Sequence, residues 1–307
     1  MKIKFISMIL ILLSIFSGCG SMIQNDVVFL DNLNIIDTYL FNEFIINENL
    51  SNPTDILFAD NYLFISDTRN NRILKINLIG EIEKQIGSAG YGKNEFISPK
   101  SMQYINNNIY IHDKDNNRIC IYDLDLNYID ALDLPVYDNV VEEIMDFIVN
   151  DRNEIYFSLR TPDKNYLNFI DSTNKIQIIK SDSFGNFKQF NDKIYYITGH
   201  ELKKDGSTVH FSSGESYLQI FFNNVQENIY SLPYKYTPSD IIITDEYIYM
   251  FSVTFNTLDK FDKQCNYIET IAHIEFKTID YCTSMAYDGE NFYLLDQSTA
   301  RIFKISE

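Results

Sequence analysis

An all-β ring of six four-stranded blades, a β-propeller, is the fold this sequence predicts, on three observations. The first is a repeated turn. Asp67-Thr68-Arg69-Asn70-Asn71-Arg72 returns 46 residues later as Asp113-Lys114-Asp115-Asn116-Asn117-Arg118, and Asp296-Gln297-Ser298-Thr299-Ala300-Arg301 comes near the end of the chain. Each copy lies between an apolar, β-rich run and an alternating one, so the repeating unit is strand–turn–strand. The second is the period. The apolar anchors Leu63, Ile109, Ile155, Ile194, Ile248 and Phe292 lie 46, 46, 39, 54 and 44 residues apart, and roughly 40–50 residues make one blade. The third is composition. Ile, 22 Tyr and 23 Phe favour strands, abundant Asn and Asp favour turns, and no amphipathic helix of four turns stands out.

The first 18 residues do not belong to that ring. Lys2 and Lys4 make a basic start, and Phe5 to Phe16 make an apolar stretch of 12 residues, too short to span a bilayer, so the segment reads as a secretory signal. Phe16-Ser17-Gly18-Cys19 resembles the lipobox of bacterial lipoproteins, with Phe16 where Leu is usual. That resemblance implies cleavage before Cys19, diacylglycerol on its thiol and residues 19–26 as a lipidated tether, a stable membrane anchor. Gly20 after the cysteine points to outer-membrane sorting in a cell with two membranes. The expected location is the cell envelope, outside the cytoplasm.

Val27 to Ile46 is apolar and strand-like but has no blade of its own. The chain is read as stopping two strands short after the last anchor, so this segment is expected to complete the last blade and leave no open edge. The propeller then covers residues 27–307.

Between the first two blades, Gly87-Ser88-Ala89-Gly90-Tyr91-Gly92 provides glycines for a crossing loop, and Pro99 opens the next inner strand where no donor is needed. This loop, together with the Asp-Thr-Arg-Asn-Asn-Arg turn, resembles the NHL-repeat propellers, with Pro53, Asp67, Arg72, Gly87, Gly90, Phe96, Pro99, Asp113 and Arg118 fitting the pattern. The likeness is strong over 53–125, clear again at 281–305 and weak across 140–270. The absence of Trp argues against WD-repeat and quinoprotein propellers. The 54-residue spacing holds an insertion around Gly199 to Gly206, read as an extended hairpin turning at Asp205-Gly206, either a binding finger or a long turn.

Asp67 and Arg72, Asp113 and Arg118, and Asp296 and Arg301 share one spacing across the turn, so each pair is expected to clamp its turn by a charge-assisted contact. A second pattern lies eight residues before each anchor. Asp55, Ser101, Asn186, Asp240 and Ser284 stand there, with Asp146 in the third blade, and each precedes an apolar residue. These positions open the innermost strands, and the three acids fall in alternate blades. Either Asp55, Asp146 and Asp240 converge at the channel mouth on a cation or polar ligand, with Ser and Asn neighbours supplying further oxygens, or each Asp or Ser caps its own strand turn through backbone N–H groups.

Function classes narrow accordingly. Formal charge is −18, and removing Lys2 and Lys4 leaves 23 bases against 43 acids, or −20, which repels nucleic acid. Cys265 and Cys282 can form a bridge in an exported chain, or with Cys120 they are three small buried hydrophobes; no CxxC is present. His112, His200, His210 and His273 occupy unrelated positions, unlike the channel histidines of amidating-lyase propellers, and no nucleophile elbow, phosphate loop or HExxH appears. Sugar-lactonase propellers hold a divalent metal with a channel Glu that this ring lacks. The expectation is a lipid-anchored, monomeric, non-catalytic module that binds an envelope protein or a small polar ligand. Arg69, Asn70, Tyr91, Lys93 and Asp115 are its candidate binding face. No cofactor is expected. The alternative is a metal-dependent hydrolase or lactonase, with Ca2+ or another divalent cation on the channel aspartates.

Overall fold

The computed structural model describes residues 40–134, 143–150, 152, 154–160, 165–171, 175–181, 185–199, 202–205, 208–211, 216–233, 236–275, 278–279 and 281–306. The expected secretory signal, Cys19, the expected tether and residues 27–39 lie outside them. Six antiparallel four-stranded sheets form, each built from consecutive strands except at two places. Blade I holds β2 (Asp55–Ala59), β3 (Tyr62–Asp67), β4 (Arg72–Asn77) and β5 (Ile82–Ile86). Blade II holds β6 (Pro99–Ile105), β7 (Asn108–Asp113), β8 (Arg118–Asp123) and β9 (Tyr128–Asp133). Blade III runs from β10 (Glu143–Val149) through β11 (Ile155–Arg160) and β12 (Asn165–Ile170) to β13 (Ile176–Ser181).

Blade IV is the first exception. Its β14 (Gly185–Phe190), β15 (Lys193–Gly199), β18 (Ser216–Phe222) and β19 (Val225–Ser231) are interrupted by a separate hairpin, β16 (Leu202–Asp205) with β17 (Thr208–Phe211). The expected hairpin forms, with Asp205 paired to Thr208 at the end of its strand, and the rest of the expected turn lies outside the described residues. Blade V holds β20 (Pro238–Ile243), β21 (Ile248–Ser252), β22 (Thr257–Phe261) and β23 (Tyr267–His273). Blade VI is the second exception. It combines β24 (Cys282–Tyr287), β25 (Phe292–Asp296) and β26 (Arg301–Ser306) with β1 (Leu40–Glu43).

The closure is as expected in kind but not in size. Among the described residues the amino-terminal segment supplies one strand to this blade, not two, because Arg301–Ser306 is already the third strand of the blade. Leu40 pairs with Ser306 and Glu43 with Phe303, and Phe41 stacks on Phe303 at 5.0 Å.

Six buried apolar clusters account for the ring, one between each pair of neighbouring blades. Phe64, Ile73 and Ile86 of blade I meet Met102, Ile111 and Cys120 of blade II. On the other side of blade I, Ile56, Leu63 and Ile65 meet Ala286, Tyr293 and Leu295 of blade VI, which closes the circle. The second strands lie mid-blade, covered on both faces, and every residue of β21 and β25 is buried. That is why the anchors read as continuous apolar runs rather than alternations.

The repeated turn explains its own letters. Thr68–Asn70 and Lys114–Asn116 each form one short 3-10 turn, and the following Asn71 and Asn117 take left-handed φ of 50° and 52°, a conformation Asn tolerates. Gly87, at φ +115°, is required by its neighbour, since a Cβ there would stand 2.4 Å from the Asn71 carbonyl oxygen.

Candidate functional site

The six inner strands β2, β6, β10, β14, β20 and β24 line the axis with one edge each, leaving backbone N–H groups that no strand can satisfy. The pattern eight residues before each anchor solves this. By strand pairing, Asp55, Asp146, Asn186, Asp240 and Ser284 all stand opposite the residue three beyond their anchor. The next residue round the ring exposes its N–H to them. Asp55 Oδ2 accepts from Met102 N in blade II at 2.5 Å, Asp146 Oδ2 from Phe187 N in blade IV at 3.1 Å, and Asp240 Oδ2 from Met285 N in blade VI at 2.8 Å. The second oxygens take two more, Phe147 N at 2.9 Å on Asp146 and Ile241 N at 2.8 Å on Asp240. The sixth, Ile56 N, donates to Ser284 Oγ at 3.3 Å, and that hydroxyl donates to Asp55 Oδ1 at 2.5 Å.

Three carboxylates and one hydroxyl therefore satisfy all six N–H groups. A carboxylate has two oxygens and can serve two blades, which accounts for acids at alternate places. The capping alternative describes these residues, with the difference that most caps reach into the next blade. Ser101 and Asn186 take other roles. A register shift between Pro99 and Met102 displaces Ser101, whose Oγ has no hydrogen-bond partner, and Asn186 Nδ2 donates to the Ser239 carbonyl at 2.8 Å.

The same residues line a cavity of about 800 Å³ along the axis. Inside it stands a residue the sequence reading passed over. Lys188, two positions beyond Asn186 on β14, places Nζ 3.1 Å from Asp240 Oδ1. Burial works against its charge, yet the carboxylates of Asp240, Asp55 and Asp146 hold the ammonium firmly protonated, above the usual lysine range. Burial likewise pushes Asp55 up to about 7, against the lowering effect of Lys188 and the Ser284 hydrogen bond. Asp146 is raised, again chiefly by burial. A signal for Lys188 was present. The equivalent positions elsewhere are Leu57, Gln103, Ile148, Ile242 and Ala286, and lysine is the one charge in that row. Gln103 was also missed; its Oε1 accepts from Val149 N of blade III at 2.6 Å.

A divalent cation requires about six oxygens at about 2.3–2.6 Å. The ring oxygens already accept backbone N–H groups, and an ammonium stands among them. Among the described residues no three of His, Cys, Asp or Glu are grouped to hold a metal. The donor set is that of an internal ion pair.

Two of the three expected clamps form. Arg72 Nε donates to Asp67 Oδ2 at 2.7 Å and Arg118 Nε to Asp113 Oδ2 at 2.8 Å, both on fully buried carboxylates. The free oxygens hold the incoming loop through Ser51 N and Ile97 N, at 2.7 and 2.8 Å. The third does not form. Asp296 accepts from Ser298 and Thr299 hydroxyls at 2.9 and 2.8 Å, and Arg301 Nε turns to Thr299 Oγ1 at 3.1 Å.

Asp55 pairs with Ser66 at the end of β3, so the repeated turns share a face with the channel mouth. Of the candidate binding face, Arg69 and Lys93 are exposed, Tyr91 is 74% exposed, and Lys93 Nζ lies 5.3 Å from the Tyr128 ring. Asn70 is partly committed, donating to Asp67 Oδ2 at 2.8 Å, and Asp115 accepts from Ser98 Oγ at 2.5 Å. Arg118 fixes the loop beneath Tyr91 by donating to the Tyr91, Gly92 and Glu95 carbonyls. Cys120, Cys265 and Cys282 are free and buried; burial pushes the first two thiols up to about 12, so they behave as small hydrophobes. The side chains of His200 and His210 lie outside the described residues.

No curated protein matches the sequence. Solved structures do match its fold. A catalytically inactive virginiamycin B lyase from Staphylococcus aureus with quinupristin is 12% identical, with TM-score 0.61 over 88% of this chain and 99% of that one. A gluconolactonase from Xanthomonas campestris is 12% identical, TM-score 0.57, over 84% and 86%. The calcium-binding protein regucalcin from Agrobacterium tumefaciens is 8% identical, TM-score 0.58, over 86% and 93%. At these identities the likeness is one of fold. The family model of DUF5128, described as a 6-bladed beta-propeller, matches residues 47–221, and with six closed blades in its structure the chain belongs to that family.

Proposed function

We propose that this protein is a non-catalytic binding module of the bacterial cell envelope, an NHL-like propeller held outside the cytoplasm by lipid on Cys19. It acts as a monomer, on the periplasmic or outer-membrane side in a cell with two membranes. Its binding face is the side where the channel opens, with Arg69, Tyr91 and Lys93 on the rim, and it takes an envelope protein or a small polar ligand. One observation supports this above others: every carboxylate of the channel ring is bound to backbone N–H groups, and Lys188 offsets part of their charge. Groups that hold the ring together are poorly placed to act as base or nucleophile.

A second reading, a metal-dependent hydrolase or lactonase, draws on Asp55. A carboxyl raised to about 7 within a cavity has the profile of a proton-transfer group. One experiment separates the two. The mature chain is melted with and without Ca2+, Mg2+ and chelator, and assayed against aldonolactones. A melting temperature unmoved by metal and no turnover support the module. A chelator-sensitive hydrolysis, abolished by Asp55→Asn, replaces it with the enzyme. Radiolabelled fatty acid incorporation, lost in Cys19→Ala, tests the anchor independently.

A further inference from the structure

The channel mouth has a chemical character different from the ring beneath it, and resting on the binding-module reading it indicates a ligand class. The charges below are spent. All three carboxylates are engaged by backbone N–H groups, and Lys188 is held among them. An anion meets three carboxylates against the ammoniums of Lys188 and Lys100, and among the described residues no group of acids is placed to hold a cation. Around the mouth, by contrast, the lining is mostly neutral and hydrogen-bonding, with Lys100 the one charged lining residue outside the ring. Ser101 Oγ and Thr283 Oγ1 have no partner, a state that a buried hydroxyl does not keep without cost. Gln297, on the turn after β25, presents an amide to the same cavity. Tyr281 is 50% exposed and borders it, offering a flat aromatic face at the entrance.

We propose that the mouth binds a neutral, hydroxyl-rich small molecule of the sugar class. One apolar sugar face would lie on Tyr281, and hydroxyls would be exchanged with Ser101, Thr283 and Gln297. Uncharged amides and hydroxyls, each able to give and accept, match sugar hydroxyls, and an aromatic ring matches the C–H face of a pyranose. The cavity of about 800 Å³ is large enough for one or two pyranose rings.

The chain has no Trp and many Tyr, so tyrosine fluorescence together with calorimetry reads binding. The probes are glucose, galactose, mannose, N-acetylglucosamine and their disaccharides at up to 10 mM, with glucosamine and glucuronate as charged controls. The expected result is saturable binding of at least one neutral sugar, weakened tenfold or more by Tyr281→Ala and severalfold by Thr283→Val. Tyr281 is exposed and Thr283 is partly buried beside it, so an unchanged circular dichroism melt of both variants verifies the fold. Binding of the charged controls alone, no binding by any probe, or neutral binding indifferent to both substitutions overturns the proposal. Its failure is distinguishable from failure of the module reading. If no sugar binds while a cross-linked envelope protein is captured through Arg69 or Lys93, the module stands without the sugar; lactone turnover removes the module itself.

Discussion

The turns of blades I and II and the turn of blade VI carry the same acid and the same arginine at the same spacing, and they are wired differently. In the first two, Arg72 and Arg118 grip a buried carboxylate. In the last, Thr299 stands where Asn70 and Asn116 stand in the others. Its hydroxyl donates to Asp296 and accepts from Arg301, placing itself between the two charges. The guanidinium then donates to the Thr278 carbonyl at 2.9 Å and lies 3.7 Å from Glu43 of the closing strand. An acid and a base five apart thus establish the turn, and the residue at the fourth place of the turn decides whether they meet.

The comparison can be broken most forcefully at its shared element. Asp113→Ala removes the acceptor of Arg118, Asn116 and Ile97 N–H together, and the expected loss is about 4 kcal/mol in urea denaturation. A loss below about 1 kcal/mol would show that the clamp is ornamental. Next comes the arginine itself. Arg118→Met is expected to cost about 3 kcal/mol, because a buried carboxylate loses its counter-charge, whereas Arg301→Met costs under about 1 kcal/mol, as expected of a partly exposed pair. Equal losses would erase the distinction drawn between the blades.

Asp55 sharpens the comparison from the channel side, since its cation is shared rather than private. Its folded value of about 7 lies above the ordinary carboxyl value, so the native state keeps a proton that the unfolded chain has released. The contribution is fully present below about pH 4 and is lost as pH rises through about 7. Asp55→Asn, which keeps an oxygen for Met102 N–H, is therefore expected to gain on the native protein across that window, by at most about 1.4 kcal/mol per pH unit. Paired melts at pH 5 and pH 8 measure the slope; parallel curves would refute it. The smallest effect belongs to Thr299→Asn, which restores the residue found in blades I and II. A change within about 0.5 kcal/mol is expected, with Arg301 swinging onto Asp296 in a crystal structure.

Much of this was legible in the sequence because propeller blades repeat. A spacing of eight from the anchor pointed to Asp55, Asp240 and Ser284, a spacing of nine in the third blade pointed to Asp146, and the Asp…Arg turn gave two clamps of three. What escaped was whatever broke the repeat. Lys188 occupies a row otherwise filled by apolar residues and one Gln, and a search for recurring polar positions passes over a charge that occurs once. In blade V, Asp259 is wrapped by Tyr236, Thr257 and Thr270 hydroxyls at 2.8, 2.6 and 2.6 Å, and burial lifts it to about 6. No spacing rule exposes a cluster assembled from two strands and a loop. The number of closing strands failed for a simpler reason, since Arg301–Ser306 had already taken the third place in its sheet.

The short β1 has a mechanical consequence. It is antiparallel to β26 and starts at the Leu40–Ser306 pair, so tension arriving along the chain from upstream loads that pair before any other. Hydrogen bonds loaded in sequence give way one at a time and at low force, whereas bonds loaded side by side resist together. If the chain is pulled from upstream, this clasp of four residues unzips first, and the circle opens at its seam.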